Sequence, residues 1–288
     1  MAGGERVTAR RAAVLGHPVA HSLSPALHRA AYRALGLDDW TYTAVDVREA
    51  ELAGFVDAMD ESWAGLSLTM PLKHAVIPLL DSVEPLAEVV GAVNTLLPSG
   101  RTRVGANTDV HGLVAALGEG LGQQARTGPP AHAVILGAGA TAASTLAALG
   151  ELGCTSPHVL VRSLARTGEL RAAAHRMGVT PQFSRLDAAT DVLPRADVVV
   201  STMPKHAADP WAQVLADSGA PVSGVLLDVV YDPRPTELSR AWSRAGGVVV
   251  GGERMLLHQA AEQVRLMTGH AAPVTAMDEA LRSALAPV

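Results

Sequence analysis

The fold class legible in this sequence is α/β, organised as two domains around mostly parallel sheets. Short β-rich runs alternate with helical stretches along the chain, the pattern of parallel strands covered by helices. Its 288 residues suffice for about two domains of ~150 residues each. The alternation breaks at a Gly-, Gln- and Pro-rich segment, 118–130, and restarts cleanly after it.

In order, Ala12–Leu15 reads as a buried strand, followed by a Gly-His-Pro loop and a helix opening at Pro25. Trp40–Val45 alternates as a strand does, and Glu49–Met59 has helical spacing. Ala64–Leu68 is a third strand, ended by Thr69-Met70-Pro71, where proline forbids further ladder bonding. Val93–Leu97 and Arg103–Ala106 flank Pro98-Ser99-Gly100, a hairpin turn. Segment 118–130 is expected to be a loop at the crossover to the next domain. Strand Ala133–Leu136, a helix from Ala140, strand Val159–Val161 and helix Ala165–Met177 follow. Later strands are Val198–Ser201, Val225–Asp228 and Val248–Val250. Two final helices, Glu253–Met267 and Val274–Leu285, have no strand after them and are expected to return to the first domain. The expected division is 1–109 plus 253–288 against 110–252.

Composition excludes several classes of function. Forty-eight per cent hydrophobic and 18% charged residues can build a packed core, so the chain is neither disordered nor a coiled coil. A net charge of −5 with only 3% aromatics lacks the basic surface and stacking rings of a nucleic-acid binder. The single cysteine, Cys154, permits no internal disulfide and no thiolate cluster. Arg6, Arg10 and Arg11 precede an apolar run too short for a secretory leader. The longest uncharged stretch, 127–150, holds four glycines and a proline pair, which argues against a membrane span. A cytoplasmic protein, monomeric or homodimeric, is expected.

Gly137-Ala138-Gly139-Ala140-Thr141-Ala142 follows a strand and opens a helix, the context a dinucleotide fingerprint requires. The first glycine makes the tight turn, the second lets pyrophosphate approach the backbone, and the small third position lets helix and strand pack closely. The next strand ends at Val161, where a ribose-binding acid would stand if the cofactor were NAD. Arg162, Ser163 and Arg166 stand there instead. A carboxylate repels a 2′-phosphate, whereas two guanidiniums and a hydroxyl bind it, so NADP is the expected cofactor.

In the first domain, Ser22 and Ser24 place two hydroxyls just before a helix, and Ser24 before Pro25 reads as its N-cap. Ser67 lies in the third strand, Thr69 and Lys73 follow its end, and Asn94 and Asp109 lie in Gly91-Ala92-Val93-Asn94-Thr95 and Gly105-Ala106-Asn107-Thr108-Asp109. Carboxyl ends of parallel strands line the ligand crevice in open α/β sheets.

Taken together, these motifs resemble the shikimate dehydrogenase family, in the family's order and over nearly the whole chain. The resemblance implies that Ser22 and Ser24 hold the substrate carboxylate, that Ser67, Thr69 and Asn94 line the substrate, and that Lys73 is catalytic with Asp109 as its partner. It implies that Tyr231, in Asp228-Val229-Val230-Tyr231-Asp232-Pro233, lies near substrate and that Gln259 binds its hydroxyls. It extends the cofactor set to Thr202, Val229 and Gly252. Ser67 stands where the family usually has asparagine, Val161 replaces the asparagine of the 2′-phosphate motif, and Ala140-Thr141 replaces the commoner Gly-Ala.

The implied reaction is reversible NADPH-dependent reduction of 3-dehydroshikimate to shikimate, a step toward chorismate and the aromatic amino acids. A relative acting on quinate or an aminated analogue remains open, as does a non-catalytic NADP-binding regulator, although retention of Lys73 and Asp109 counts against the regulator. His17 and His21 have the spacing of a metal pair, but Pro18 keeps that segment from being helical and no carboxylate is near in sequence, so no metal is expected. His28, His74 and His258 read as partly buried or solvated.

Overall fold

The computed structural model describes residues 9–124 and 128–286. Arg6 and part of the expected 118–130 loop, positions 125–127, lie outside the described residues. The chain divides into two compact units. The first holds the chain up to Glu88, Ala92–Thr108 and everything from Ala260 onward; the second holds Val89–Gly91 and Asp109–Gln259.

The elements up to the first crossover are β1 (Arg10–Gly16), α1 (Ser24–Ala34), β2 (Trp40–Asp46), α2 (Glu49–Asp57), β3 (Trp63–Leu68), α3 (Leu72–Ala75), β4 (Ser82–Val83), α4 (Pro85–Val90), β5 (Thr95–Ser99) and β6 (Thr102–Ala106). Six strands form one sheet in the order β2-β1-β3-β5-β6-β4. β2, β1 and β3 run parallel, while β5 is antiparallel to both β3 and β6. The β5–β6 pairing is the hairpin expected at Pro98-Ser99-Gly100, where Gly100 takes φ +61°.

Both faces of this sheet are buried, as the continuous apolar runs require. Ala13, Leu15, Leu66 and Leu68 pack on one side with Leu52 and Val56 of α2. Ala12, Val14 and Ala64 pack on the other with Tyr32 of α1, Tyr42 of β2 and Met267.

After the crossover come α5 (Asp109–Gln123), β7 (Ala133–Leu136), α6 (Ala140–Glu151), β8 (His158–Val161), α7 (Gly168–Met177), β9 (Gln182–Arg185), α8 (Ala189–Val192), β10 (Val198–Ser201), α9 (Asp209–Ser218), β11 (Val225–Asp228), α10 (Glu237–Arg244), β12 (Val248–Gly251), α11 (Gly252–Thr268) and α12 (Val274–Leu285). The second sheet has the order β12-β11-β10-β7-β8-β9 and is parallel throughout. From β7 the chain moves outward to β8 and β9, then returns to β10 on the other side of β7. That reversal creates a switch point between β7 and β10, where such sheets bind ligands. At the chain's end α12 packs against α1, so both lie in the first unit.

The structure corrects three expectations. The 118–130 segment is helical as far as Gln123, and its Gly120 serves close approach rather than a turn. A Cβ on Gly120 would lie 2.6 and 2.7 Å from methyls of Val225 and Val250. Ser24 is not the N-cap of α1: the helix has already begun at Ser24, Leu23 holds the cap position, and no side chain caps it. It is Ser22 whose Oγ accepts the Ser24 N–H, at 3.3 Å. Finally, His28 is fully buried, with its ring stacked on Tyr42 at 3.9 Å.

Candidate active site

In the first unit the polar groups gather at the carboxyl ends of β1 and β3. Thr69 N–H donates to Leu15 O at 2.9 Å, and His17 N–H donates to Met70 O at 3.0 Å. The two strand ends are therefore knitted together beyond the sheet. Gly16 makes this possible, since a Cβ there would lie 2.3 Å from the Thr69 methyl. Leu72, fully buried, then anchors α3, and the Lys73 carbonyl accepts Val93 N–H at 2.9 Å. The Lys73 backbone is thus held between a core residue and a ladder-like bond, with its side chain half-buried.

Asn94 is 2% exposed. Its backbone oxygen accepts Leu68 N–H at 2.7 Å, and its Oδ1 accepts Thr108 N–H at 2.8 Å and the Thr95 hydroxyl at 2.9 Å. Its Nδ2 donates to Thr108 Oγ1 at 2.9 Å.

Ser67 is buried as well. It accepts the Tyr42 hydroxyl at 2.6 Å and donates to Gln263 Oε1 at 2.8 Å. Gln263 Nε2 donates to Asn94 O at 3.2 Å and to Thr95 Oγ1 at 3.0 Å. Burial holds Tyr42 un-ionised, its pKa raised well above the ordinary tyrosine value by desolvation. Desolvation likewise lowers His28 from 6.5 to about 3, so its buried ring is neutral. Tyr42 and Gln263 are absent from the set read in the sequence. The available sign was spacing: Gln263 follows Gln259 by four residues, which places both on one side of α11.

His17, paired in the sequence only with His21, meets a carboxylate here: its Nδ1 lies 2.6 Å from Asp46 Oδ1. Among the described residues no group of three His, Cys, Asp or Glu could hold a metal ion.

In the second unit, Gly137 follows β7 with φ +112°, a conformation open to glycine. A Cβ there would also lie 2.5 Å from Thr202 Oγ1, and the Thr202 hydroxyl donates to Leu136 O at 2.9 Å. Gly137 and Thr202 therefore meet at the switch point between β7 and β10. Gly139 caps α6 without a side-chain bond, and nothing lies within 4 Å of where its Cβ would be. Ala142 is fully buried against the sheet, while Ala138, Ala140 and Thr141 are half-buried along the same turn. An open, uncapped helix N-terminus is suited to a phosphate.

Beyond β8, Val161 is buried and Ser163 half-buried. Arg162 and Arg166 are exposed, and among the described residues no carboxylate pairs with either. At the ends of β11 and β12, Val229 N–H donates to Ser201 O at 3.0 Å, and a Cβ on Gly252 would lie 2.3 Å from Val229 O. Asp228 before them is 2% exposed. Desolvation raises its pKa, although the Thr236 hydroxyl donates to it at 2.7 Å. Tyr231 is half-buried, Gln259 is 8% exposed on α11 and Asp109 is 3% exposed at the start of α5. α5 and α11 are clamped by Arg254, whose Nε and Nη2 donate to Glu119 at 2.8 and 2.7 Å. That guanidinium is the main reason the Glu119 carboxyl lies below its usual range.

The model of the shikimate dehydrogenase substrate binding domain matches residues 14–96, and that of the shikimate 5′-dehydrogenase C-terminal domain matches 252–282. The chain is 37% identical over 282 residues to the shikimate dehydrogenase (NADP(+)) of Moorella thermoacetica, covering 95% of this chain and 92% of that protein. This chain belongs to the shikimate dehydrogenase family. Family members also share its fold. The crystal structure of the Mycobacterium tuberculosis shikimate dehydrogenase superposes with a TM-score of 0.84 at 41% identity, covering 95% of this chain and 99% of that one. A quinate dehydrogenase from Corynebacterium glutamicum, solved in complex with NAD, reaches a TM-score of 0.82 at 29% identity, covering 96% and 99%.

Proposed function

We propose that this shikimate dehydrogenase family member reduces 3-dehydroshikimate to shikimate reversibly with NADPH. The first unit supplies the substrate shelf and the second the cofactor turn. The observation that carries the choice of cofactor is the pair of exposed guanidiniums, Arg162 and Arg166, paired with no carboxylate among the described residues, where an NAD enzyme would present an acid. The Moorella relative is named for the same cofactor and reaction. Gly137, Ala138, Gly139, Ala140, Thr141 and Ala142 would hold the pyrophosphate, and Ser163 would join the arginines at the 2′-phosphate. Val161, Thr202, Val229 and Gly252 would line the rest of the cofactor through backbone and close contact. When bound, NADPH supplies the hydride that reaches the ring carbonyl carbon.

The remaining work falls to side chains. The carbonyl oxygen gains negative charge as the carbon is reduced, and it must end as a hydroxyl. Lys73, as an ammonium, stabilises that charge and delivers the proton. Asp109 supplies the carboxylate that this transfer needs as a counter-charge. Ser22 and Ser24 receive the substrate carboxylate. Thr69, Asn94, Tyr231 and Gln259 bind the ring substituents, with Ser67 forming the wall behind them.

A second reading, oxidation of quinate, is favoured by the similarity to the Corynebacterium enzyme. An aromatic content of only 3% and a net charge of −5 support a small-molecule enzyme without a nucleic-acid partner. No helix of the described residues is long and apolar enough to cross a membrane. We place the enzyme in the cytoplasm as a monomer or homodimer, to be checked by fractionation and light scattering. Purified protein with shikimate and NADP+ is expected to form reduced nicotinamide; absence of turnover would overturn the assignment.

A further inference from the structure

The buried bonds around Ser67 and Asn94 have a direction that can be worked out from groups of fixed role. A backbone carbonyl only accepts and a backbone N–H only donates. Asn94 O lies 3.2 Å from the Gln263 amide, so that end of the amide is the nitrogen. Its other hydrogen goes to Thr95 Oγ1 at 3.0 Å, which leaves the Thr95 proton for Asn94 Oδ1 at 2.9 Å. Thr108 N–H, at 2.8 Å from the same Oδ1, fixes the Asn94 amide independently in the same sense.

At the opposite end, Gln263 Oε1 must accept, so Ser67 donates to it and in turn accepts from Tyr42. One proton direction runs from Tyr42 through Ser67 and Gln263 to Thr95 and Asn94. Gln263 is 1% exposed, Thr95 and Tyr42 are fully buried, and Tyr42 is held in plane by the stacked, neutral His28 ring. Reversing any one bond would face two lone pairs or two hydrogens toward each other in a dry interior, which is costly.

We propose that Gln263, anchored through Ser67 by Tyr42, is a positioning residue that presents the Asn94 side chain to the substrate as a hydrogen-bond donor. The proposal rests on the functional reading above, in which Asn94 touches the substrate ring. It also gives Ser67 a role: its single proton is committed to Gln263, so it orients the amide instead of donating to substrate.

The test is a kinetic cycle on the full-length enzyme. Gln263→Met keeps the side chain's length and removes every polar bond. It is expected to raise KM for shikimate about tenfold, with kcat changed by less than about threefold and KM for NADP+ by less than about twofold. Tyr42→Phe, which keeps the ring on His28, is the milder variant and should raise the same KM by about threefold. In an Asn94→Ala background, Gln263→Met should raise KM no further than about twofold, because its route to the substrate is already gone. An unchanged KM in both Gln263→Met and Tyr42→Phe would overturn the proposal. So would a full tenfold effect persisting without Asn94, or equal rises in KM for shikimate and NADP+. Failure of the unsubstituted enzyme to turn over shikimate would remove the functional reading and this proposal together.

Discussion

Lys73 is the side chain on which the proposed chemistry turns. Lys73→Ala should lower kcat by about 10²–10⁴, the range for a positioned acid, with a much smaller change in substrate KM. Steady-state kinetics on both substrates checks this. Arg162 offers a charge-assisted bond worth ~1.5–3 kcal/mol, so Arg162→Ala should weaken NADP+ by roughly 10- to 100-fold and NAD+ hardly at all. Titration of both cofactors checks it, and equal losses would mark the arginine as structural. His28 governs stability through protons. Its folded pKa of about 3 lies below the ordinary 6.5, so the unfolded chain binds the proton more readily. Stability from this group is complete above pH 6.5 and is lost as pH falls through the window down to 3, by roughly 2 kcal/mol at pH 5. Urea midpoints at pH 8 and pH 5 should show that loss in the wild type and a smaller one in His28→Phe. At this scale, the placing of Thr69 and Lys73 just after the third strand was legible, while the roles proposed for them rest on the family resemblance. Gln263 was not, because a glutamine on a helix reads as solvated until tertiary packing buries it.

Among the elements, α5 shows where sequence reading goes astray. Gly118, Gly120 and Gly122 look like punctuation of a loop, yet the helix runs through them to Gln123. Gly120 is there because the helix lies hard against β11 and β12, and close approach leaves no mark in the sequence distinct from a turn. Gly120→Ala should therefore destabilise by about 1–3 kcal/mol as overpacking, despite the better helix propensity of alanine. A lowered Tm in a thermal melt checks this, and a raised one would show that the helix can shift away. The central strands β1, β3, β7 and β10 were legible from their unbroken apolar runs. The edge strands β4 and β9 were not: two and four residues long, with little burial, they are defined by pairing alone.

Across the whole molecule, the alternation of strands and helices, its interruption and its restart led to two compact units, each with its own sheet. The return of α12 to α1 was legible because a helix pair without a following strand has no sheet of its own to cover. Substrate identity lies at this scale too, since it depends on the shelf as a unit. The measurement that bears most directly on the proposed function is kcat/KM for shikimate against quinate with NADP+ in the unsubstituted enzyme. Quinate brings an added hydroxyl beside the carboxylate, where Ser22 and Ser24 are assigned, and burying it without a partner costs ~1–3 kcal/mol. The expected result is a preference for shikimate of roughly 5- to 150-fold; a kcat/KM for quinate equal to or above that for shikimate would contradict it.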